Sequence, residues 1–270
     1  MRIVSLVPSV TEALCMLGLG ADLVAVTDYC IHPADVVKDK TRIGGTKNPD
    51  LNAIDALRPD LVIANSDEQR TETLEALEEL GVEILVTETD SLDDVEETWL
   101  QLGRATGREE AAERERRRIV AARRSVAEKQ GQAEPFATLV PVWKNPWMAA
   151  GGGTYLGDLL AACGFRNILE DVPVKWARIV LTTDRQDAQV VEKGPAAGQK
   201  VHPLPEPPEV VLLPSEPYAF QDDDRDAFTI LGVTRERARL VDGEALTWWL
   251  SRTAEALDRF GGLASLLREA

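Results

Sequence analysis

Positive charge, histidine, cysteine and aromatic residues are all scarce in this sequence. Of 270 residues, 30 are Lys or Arg against 46 Asp or Glu, a formal net charge of −16. Such a chain repels phosphate backbones and anionic membrane surfaces, which excludes nucleic acid as a natural partner. The one basic cluster, ERERRRIVAARR, is interleaved with acids at helical spacing and reads as a solvated helix face. No run of 18 apolar residues occurs, so no membrane-inserted helix is expected. No basic segment, apolar stretch and cleavage site precede the first strand, so the chain is expected to be cytoplasmic.

Three cysteines, Cys15, Cys30 and Cys163, include no CxxC pair, which leaves no zinc knuckle, thioredoxin-like site or disulfide framework. Cys15 and Cys163 fall in apolar helical runs and are expected to be inert core; Cys30 is left open. There are two histidines, His32 and His202. No GxSxG occurs, so nucleophilic catalysis has no motif to stand on. His202 lies in a Pro-rich stretch and is expected on the surface. His32, in YCIHP, is a candidate to line a site or approach a metal, weighed against the commoner structural role of a single histidine. No residue is assigned as catalytic or as a protein metal ligand, and no catalytic cofactor is expected.

What is present is a repeated βα pattern. RIVSLV, LVAVT, DLVIAN and VEILVTE read as strands, and SVTEALCMLGLG, LNAIDALRP and TETLEALEELG as helices between them. Ser9 or Thr11 is expected to cap the first helix. The alternation predicts a parallel sheet with helices on its faces and ligand-binding loops at the strands' C-terminal ends. After a helix over 92–106, residues 108–131 form one uninterrupted helical segment, roughly 35 Å long at 1.5 Å per residue. Its thin apolar stripe (Ala112, Ile119, Val120, Val126) suits a solvent-exposed connector. The alternation then restarts with FATLVPVW as a strand, a helix ending at Gly164, EVVLLPS and ARLVDGE as strands, and LTWWLSRTAEALDRFGGLASLL as terminal helices. Residues 170–209 are expected to be irregular. The fold class is α/β, with an N-terminal lobe over 1–107, a connecting helix over 108–131 and a C-terminal lobe over 132–270.

One stretch resists a routine assignment. Residues 142–158, VWKNPWMAAGGGTYLGD, combine Trp143, Trp147 and Met148 with three consecutive glycines ahead of a helix. The glycines match neither GxxxxGK[ST] nor a dinucleotide fingerprint. They are expected to turn the chain sharply, so that Trp147 and Met148 stand at a rim while Trp143 faces the core. Trp176, Trp248 and Trp249 follow at other predicted loops or element starts. Adjacent residues on a helix point about 100° apart, so Trp248 and Trp249 are not expected to share one core. Tyr29 and Tyr218 follow strands. An aromatic-lined pocket for a broad apolar ligand is the reading.

These same segments, MRIVSLVPSVTEALCMLGLGADLVAV, YCIHP, RIGGTKNPDLNAIDALRPDLVIAN, NPWMAAGGGTYLGDLLAACGFRNI, EVVLLPSEPYAF and VDGEALTWWLSR, resemble the helical-backbone (class III) solute-binding proteins of ABC importers. The resemblance covers nearly the whole chain except about 177–207, and YCIHP, GGTKN and SEPYAF resemble the cobalamin-binding and helical-backbone metal-receptor members. The resemblance implies two Rossmann-like lobes joined by one long backbone helix, with a ligand cleft between them. It implies non-catalytic binding of a cobalamin-like corrinoid, with Pro8, Ser9, Tyr29, His32, Trp147, Met148, Trp176, Thr247 and Trp248 as ligand-binding residues. A ferric siderophore, haem or another metal chelate is the alternative ligand, with Arg178 and Arg252 as the cations an anionic chelate would use. A second alternative is an intracellular enzyme or pathway accessory on the same scaffold. Relatives dock onto an ABC permease through a glutamate on each lobe. Here the first such position falls at Asn52 and the second near Thr182 or Thr183, so the permease is a partner that the resemblance implies and these residues do not support.

Overall fold

The computed structural model describes residues 1–181, 189–192 and 200–270. The expected permease position at Thr182 or Thr183 lies outside the described residues, as does most of the Pro/Gly-rich 183–207 segment; Asn52 is exposed. The chain divides into two compact units. Unit 1 comprises Met1–Thr89, Asp93–Ile119 and Trp248–Ser251, and unit 2 comprises Asp90–Leu92, Val120–Thr247 and Arg252–Ala270.

Unit 1 is built on five parallel strands, β1 (Ile3–Ser5), β2 (Leu23–Val26), β3 (Thr41–Arg42), β4 (Leu61–Asn65) and β5 (Glu83–Thr87), in the order β3-β2-β1-β4-β5. β1 and β4 are buried throughout, as the central strands of a sheet covered on both faces must be. The helices are α1 (Pro8–Met16), α2 (Ala34–Val37), α3 (Leu51–Leu57), α4 (Thr71–Glu79) and α5 (Leu92–Thr106). The strand order reverses direction between β1 and β4, which makes the loops after these two strands the switch point where α/β sheets take ligands.

α6 (Glu109–Gln130) is a single helix, and the division between the units falls within it. Glu109 and Glu110 in its first turn and Lys129 in its last complement the helix dipole. Glu113 pairs with Arg116 at 2.7 Å and Arg117 at 2.8 Å, and Arg124 with Glu128 at 2.9 Å. The buried stripe is Ala112, Ile119, Ala122 and Val126, while Val120 is exposed. Spacings of seven, three and four keep that stripe on one face; Val120 sits about 100° off it.

Unit 2 holds two sheets. Four parallel strands, β6 (Phe136–Leu139), β9 (Phe165–Asn167), β13 (Val210–Pro214) and β14 (Ala238–Val241), lie in the order β14-β13-β6-β9. A second, antiparallel sheet has the order β12-β11-β10-β8-β7, from β7 (Pro141–Trp143), β8 (Met148–Ala150), β10 (Trp176–Val180), β11 (Gln189–Glu192) and β12 (Lys200–Pro203). The helices are α7 (Tyr155–Ala162), α8 (Gly243–Thr247) and α9 (Thr253–Glu269), with a 3-10 segment at Asp222–Leu231. No helix of the described residues is long and apolar enough to cross a membrane.

Several expectations are corrected. Residues 170–209 are not irregular throughout, because β10, β11 and β12 fall inside them. Trp176, Ala177, Arg178 and Ile179 alternate outward and buried, a period of two that is too short to stand out in sequence. FATLVPVW is two strands in different sheets, not one. Pro141 has no N–H to continue a central ladder, and the chain changes sheet there. His202 lies on β12 instead of a loop, and is exposed. α1 is capped by neither Ser9 nor Thr11: its N-cap is Val7, Pro8 opens the helix, and Ser9 is buried.

The three glycines have separate causes. A Cβ on Gly151 would overlap the Val174 carbonyl oxygen, and one on Gly152 the Glu170 carbonyl oxygen, whereas Gly153 has open space but a φ of 62°. Gly151 N–H donates to Lys175 O at 2.9 Å and Gly152 N–H to Val172 O at 3.1 Å. With those amides spent on the facing loop, the run is not a phosphate cradle. Thr154 caps α7 by accepting from Gly157 N at 3.2 Å. The adjoining recess, about 330 Å³, is lined by Asp90, Glu170 and Asp171 against Lys175, a balance that repels anions.

Candidate functional site

In unit 1 the strand-end loops are tied together by one side chain that carried no sequence signal. Gln69, buried in the loop after β4, accepts from Asn65 N at 2.6 Å. Its Nε2 donates to Thr46 O at 3.2 Å and Leu6 O at 3.4 Å, joining the loops after β1, β3 and β4. Beside it, burial raises the Glu68 carboxyl above its ordinary range, against the opposing pull of its Thr46 hydrogen bond and Lys47. The rule that places ligands at the switch point flags this loop; the residue type alone does not.

Tyr29 and His32 sit on the loop after β2. Tyr29 is 63% exposed and its ring lies over Gly45, where an added Cβ would be 3.6 Å from Cε2. His32 is half-buried and meets Trp248 edge-on, with centroids 5.4 Å apart and planes at 66°. Arg42 braces this loop, donating to Thr27 O at 2.7 Å, Cys30 O at 2.9 Å and Val37 O at 3.2 Å. Three carbonyls captured by one guanidinium hold the loop's shape without touching the exposed ring. Arg42→Ala is therefore expected to speed amide exchange at residues 28–37 by roughly ten- to hundred-fold, as loss of charged hydrogen bonds does. Hydrogen-exchange mass spectrometry checks this, with β1 and β4 unchanged. A uniform increase over unit 1 would show that Arg42 supports the whole sheet instead.

Cys30 is fully buried, with Sγ 3.1 Å from both Thr11 Oγ1 and Thr27 Oγ1. Burial raises its thiol above the ordinary value, as it does Cys163, pushed up to about 12, and the half-buried Cys15, pushed up to about 11. None has the depressed pKa of a reactive thiolate. Cys15 is only part-buried, not the full core residue its helical run suggested.

In unit 2 the tryptophans exchange their expected roles. Trp147 is turned inward: its ring stacks parallel to Phe220 at 5.8 Å and meets Phe228 edge-on at 5.1 Å, with Lys144 Nζ 5.7 Å over its face. Trp143 is 43% exposed, with Tyr218 edge-on at 5.6 Å. Met148 is half-buried on the same face as Trp143, and Trp176 is 47% exposed. Thr247 ends α8 and its hydroxyl donates to Gly243 O at 2.9 Å. Trp248 and Trp249 are both buried, 7% and 8% exposed, because both lie in the turn after α8 and not on a helix. Pro8 is half-buried. Tyr29 and His32 thus share one braced loop, His32 meets Trp248, and Met148 and Trp176 share one sheet face; Trp147 does not join that face. Among the described residues no group of three or more His, Cys, Asp or Glu is placed to hold a metal ion.

The family described as Periplasmic binding protein matches residues 3–189. A Vitamin B12-binding protein of Pectobacterium carotovorum is 26% identical over 181 residues, 66% of this chain and 65% of that protein. One from Yersinia pestis is 25% identical over 178 residues, 66% of this chain and 63% of its own. The match spans less than two thirds of these relatives' length. The crystal structure of the periplasmic vitamin B12 binding protein BtuF of Vibrio cholerae superposes with a TM-score of 0.78 at 20% identity, covering 100% of this chain and 98% of that one. The periplasmic heme-binding protein RhuT from Roseiflexus sp. RS-1 gives 0.72 at 21% identity, covering 96% of each. At such identities the structural likeness establishes the fold.

Proposed function

Since this chain belongs to the Periplasmic binding protein family, we propose that it binds a cobalamin-like corrinoid and releases it chemically unchanged. The observation that carries this reading is the sheet face bearing Trp143, Met148 and Trp176. Exposed indoles on a rigid β-sheet supply flat, pre-organised apolar area for a macrocycle. In unit 1, the exposed Tyr29 stands on the loop that Arg42 braces. Trp143 takes the role first expected of Trp147. The sequence relatives named for vitamin B12 support the corrinoid.

Adding cyanocobalamin to the purified protein is expected to quench tryptophan emission saturably. Absence of quenching up to about 100 μM, an affinity weaker than roughly −5.5 kcal/mol, would defeat the corrinoid reading. Haem or a ferric chelate is the second reading, favoured by the structural neighbours that are periplasmic heme-binding proteins. An enzyme built on this scaffold is the third reading, to which the sequence offers only two histidines and no GxSxG nucleophile motif. Turnover of a small substrate, lost on Cys30→Ser, would reinstate it.

A further inference from the structure

Loops of unit 1 lock together at the C-terminal ends of its strands. Asp28 N–H donates to Gly44 O at 2.8 Å, which fastens the loop after β2 to the loop after β3. The latter turns back on itself, with Gly44 bridged to Pro49 and at a φ of 84°. From the loop after β4, Gln69 holds Thr46 O. The Tyr29 ring lies over Gly45, and Thr46 follows one residue on. Both are therefore fixed on one short segment beside the switch point.

Glu68 belongs to this assembly and differs from the other carboxyls of the chain. It is half-buried and takes a hydrogen bond from the Thr46 hydroxyl. Burial raises its carboxyl, whereas Glu113, Glu206, Asp222, Asp224 and Glu236 are all shifted the opposite way. Gln69 beside it does the tying, with bonds into the loops after β1, β3 and β4. A carboxylate has about four acceptor sites, and the Thr46 hydroxyl takes one. The others are partly withdrawn from water, where an N–H donor strengthens them and a second carboxylate is repelled.

We infer that Glu68 is a specificity-determining acceptor for a primary carboxamide at the edge of the corrin ring, and so selects a ring edged with amides over one edged with carboxylates. The inference rests on the proposed function and narrows it. Corrinoids carry acetamides and propionamides around the ring, whereas haem carries propionates. The exposed Tyr29 ring supplies apolar area beside the carboxyl, so one face of unit 1 offers a flat contact and an acceptor together.

The test is calorimetric titration of wild type, Glu68→Gln and Glu68→Asp in weakly alkaline buffer. The ligands are cyanocobalamin and its separated monocarboxylates, in each of which one propionamide is hydrolysed to the acid. Wild type is expected to bind at least one monocarboxylate about ten-fold or more weaker than cyanocobalamin. Glu68→Gln keeps the side chain's size and can donate as well as accept, so it should narrow that gap to within about three-fold. Its affinity for cyanocobalamin itself should fall by less than about ten-fold. Glu68→Asp, which keeps the charge, should retain most of the gap. Wild type that binds every monocarboxylate as well as cyanocobalamin overturns the assignment and leaves the proposed function standing. So does a gap that survives in Glu68→Gln, including an equal loss for all ligands, which would make the residue a support of the loop alone. Wild type that binds none of these ligands defeats the proposed function itself, and this assignment with it.

Discussion

Trp147→Ala is expected to destabilise the protein by about 3 kcal/mol or more, while Trp176→Ala changes stability by no more than about 1 kcal/mol and weakens ligand binding instead. Trp147 packs against the unit 2 core, stacked on Phe220 and edge-on to Phe228. Truncation removes both ring contacts and leaves a cavity whose walls are held by β10 and the 3-10 segment. Lys144 also loses a ring beneath it, although its ion pair with Asp224 persists. Trp176 is 47% exposed and its removal opens no cavity. Urea unfolding followed by circular dichroism separates the two variants. A loss for Trp147→Ala as small as that for Trp176→Ala, or a ligand defect confined to a fully stable Trp147→Ala, would return Trp147 to the rim.

The second large effect is expected at the glycine run. Gly151→Ala and Gly152→Ala should each cost about 3 kcal/mol or more, because the new Cβ meets a backbone carbonyl that cannot rotate away. Gly153→Ala should cost only about 1–2 kcal/mol, the strain of a left-handed conformation in open space. The ranking distinguishes close packing from a functional loop. If Gly151→Ala kept full stability and lost only ligand affinity, the run would be binding machinery after all.

The βα alternation of unit 1 was readable because its central strands are continuous apolar runs bounded by helical spacing. Helices 92–106 and 108–131 were readable because their length leaves no ambiguity of period, and they fall at Leu92–Thr106 and Glu109–Gln130. The second half was harder. β7, β8 and β10 are three to five residues long, shorter than a period-two pattern needs to declare itself. With β8 unrecognised, Trp143 and Trp147 could not be given faces, and the two were exchanged. A register shift between Pro141 and Trp143, not simple alternation, puts Trp143 beside Met148 on the outward face. Arg42 and Gln69 illustrate the limit from another side. Their roles depend on carbonyls brought from loops distant in sequence, which no local pattern records. The neighbours of Trp248 and Trp249 favour a helix; the chain turns instead, with Leu250 at a φ of 72°.

The claim that this chain is a non-catalytic corrinoid binder is tested most directly by calorimetric titration with cyanocobalamin, followed by chromatographic recovery of the ligand. The account predicts saturable binding of one ligand per chain at micromolar affinity or tighter, about −8 kcal/mol or better, with the corrinoid recovered intact. No heat up to about 100 μM ligand, or recovery of a chemically altered corrinoid, would contradict it.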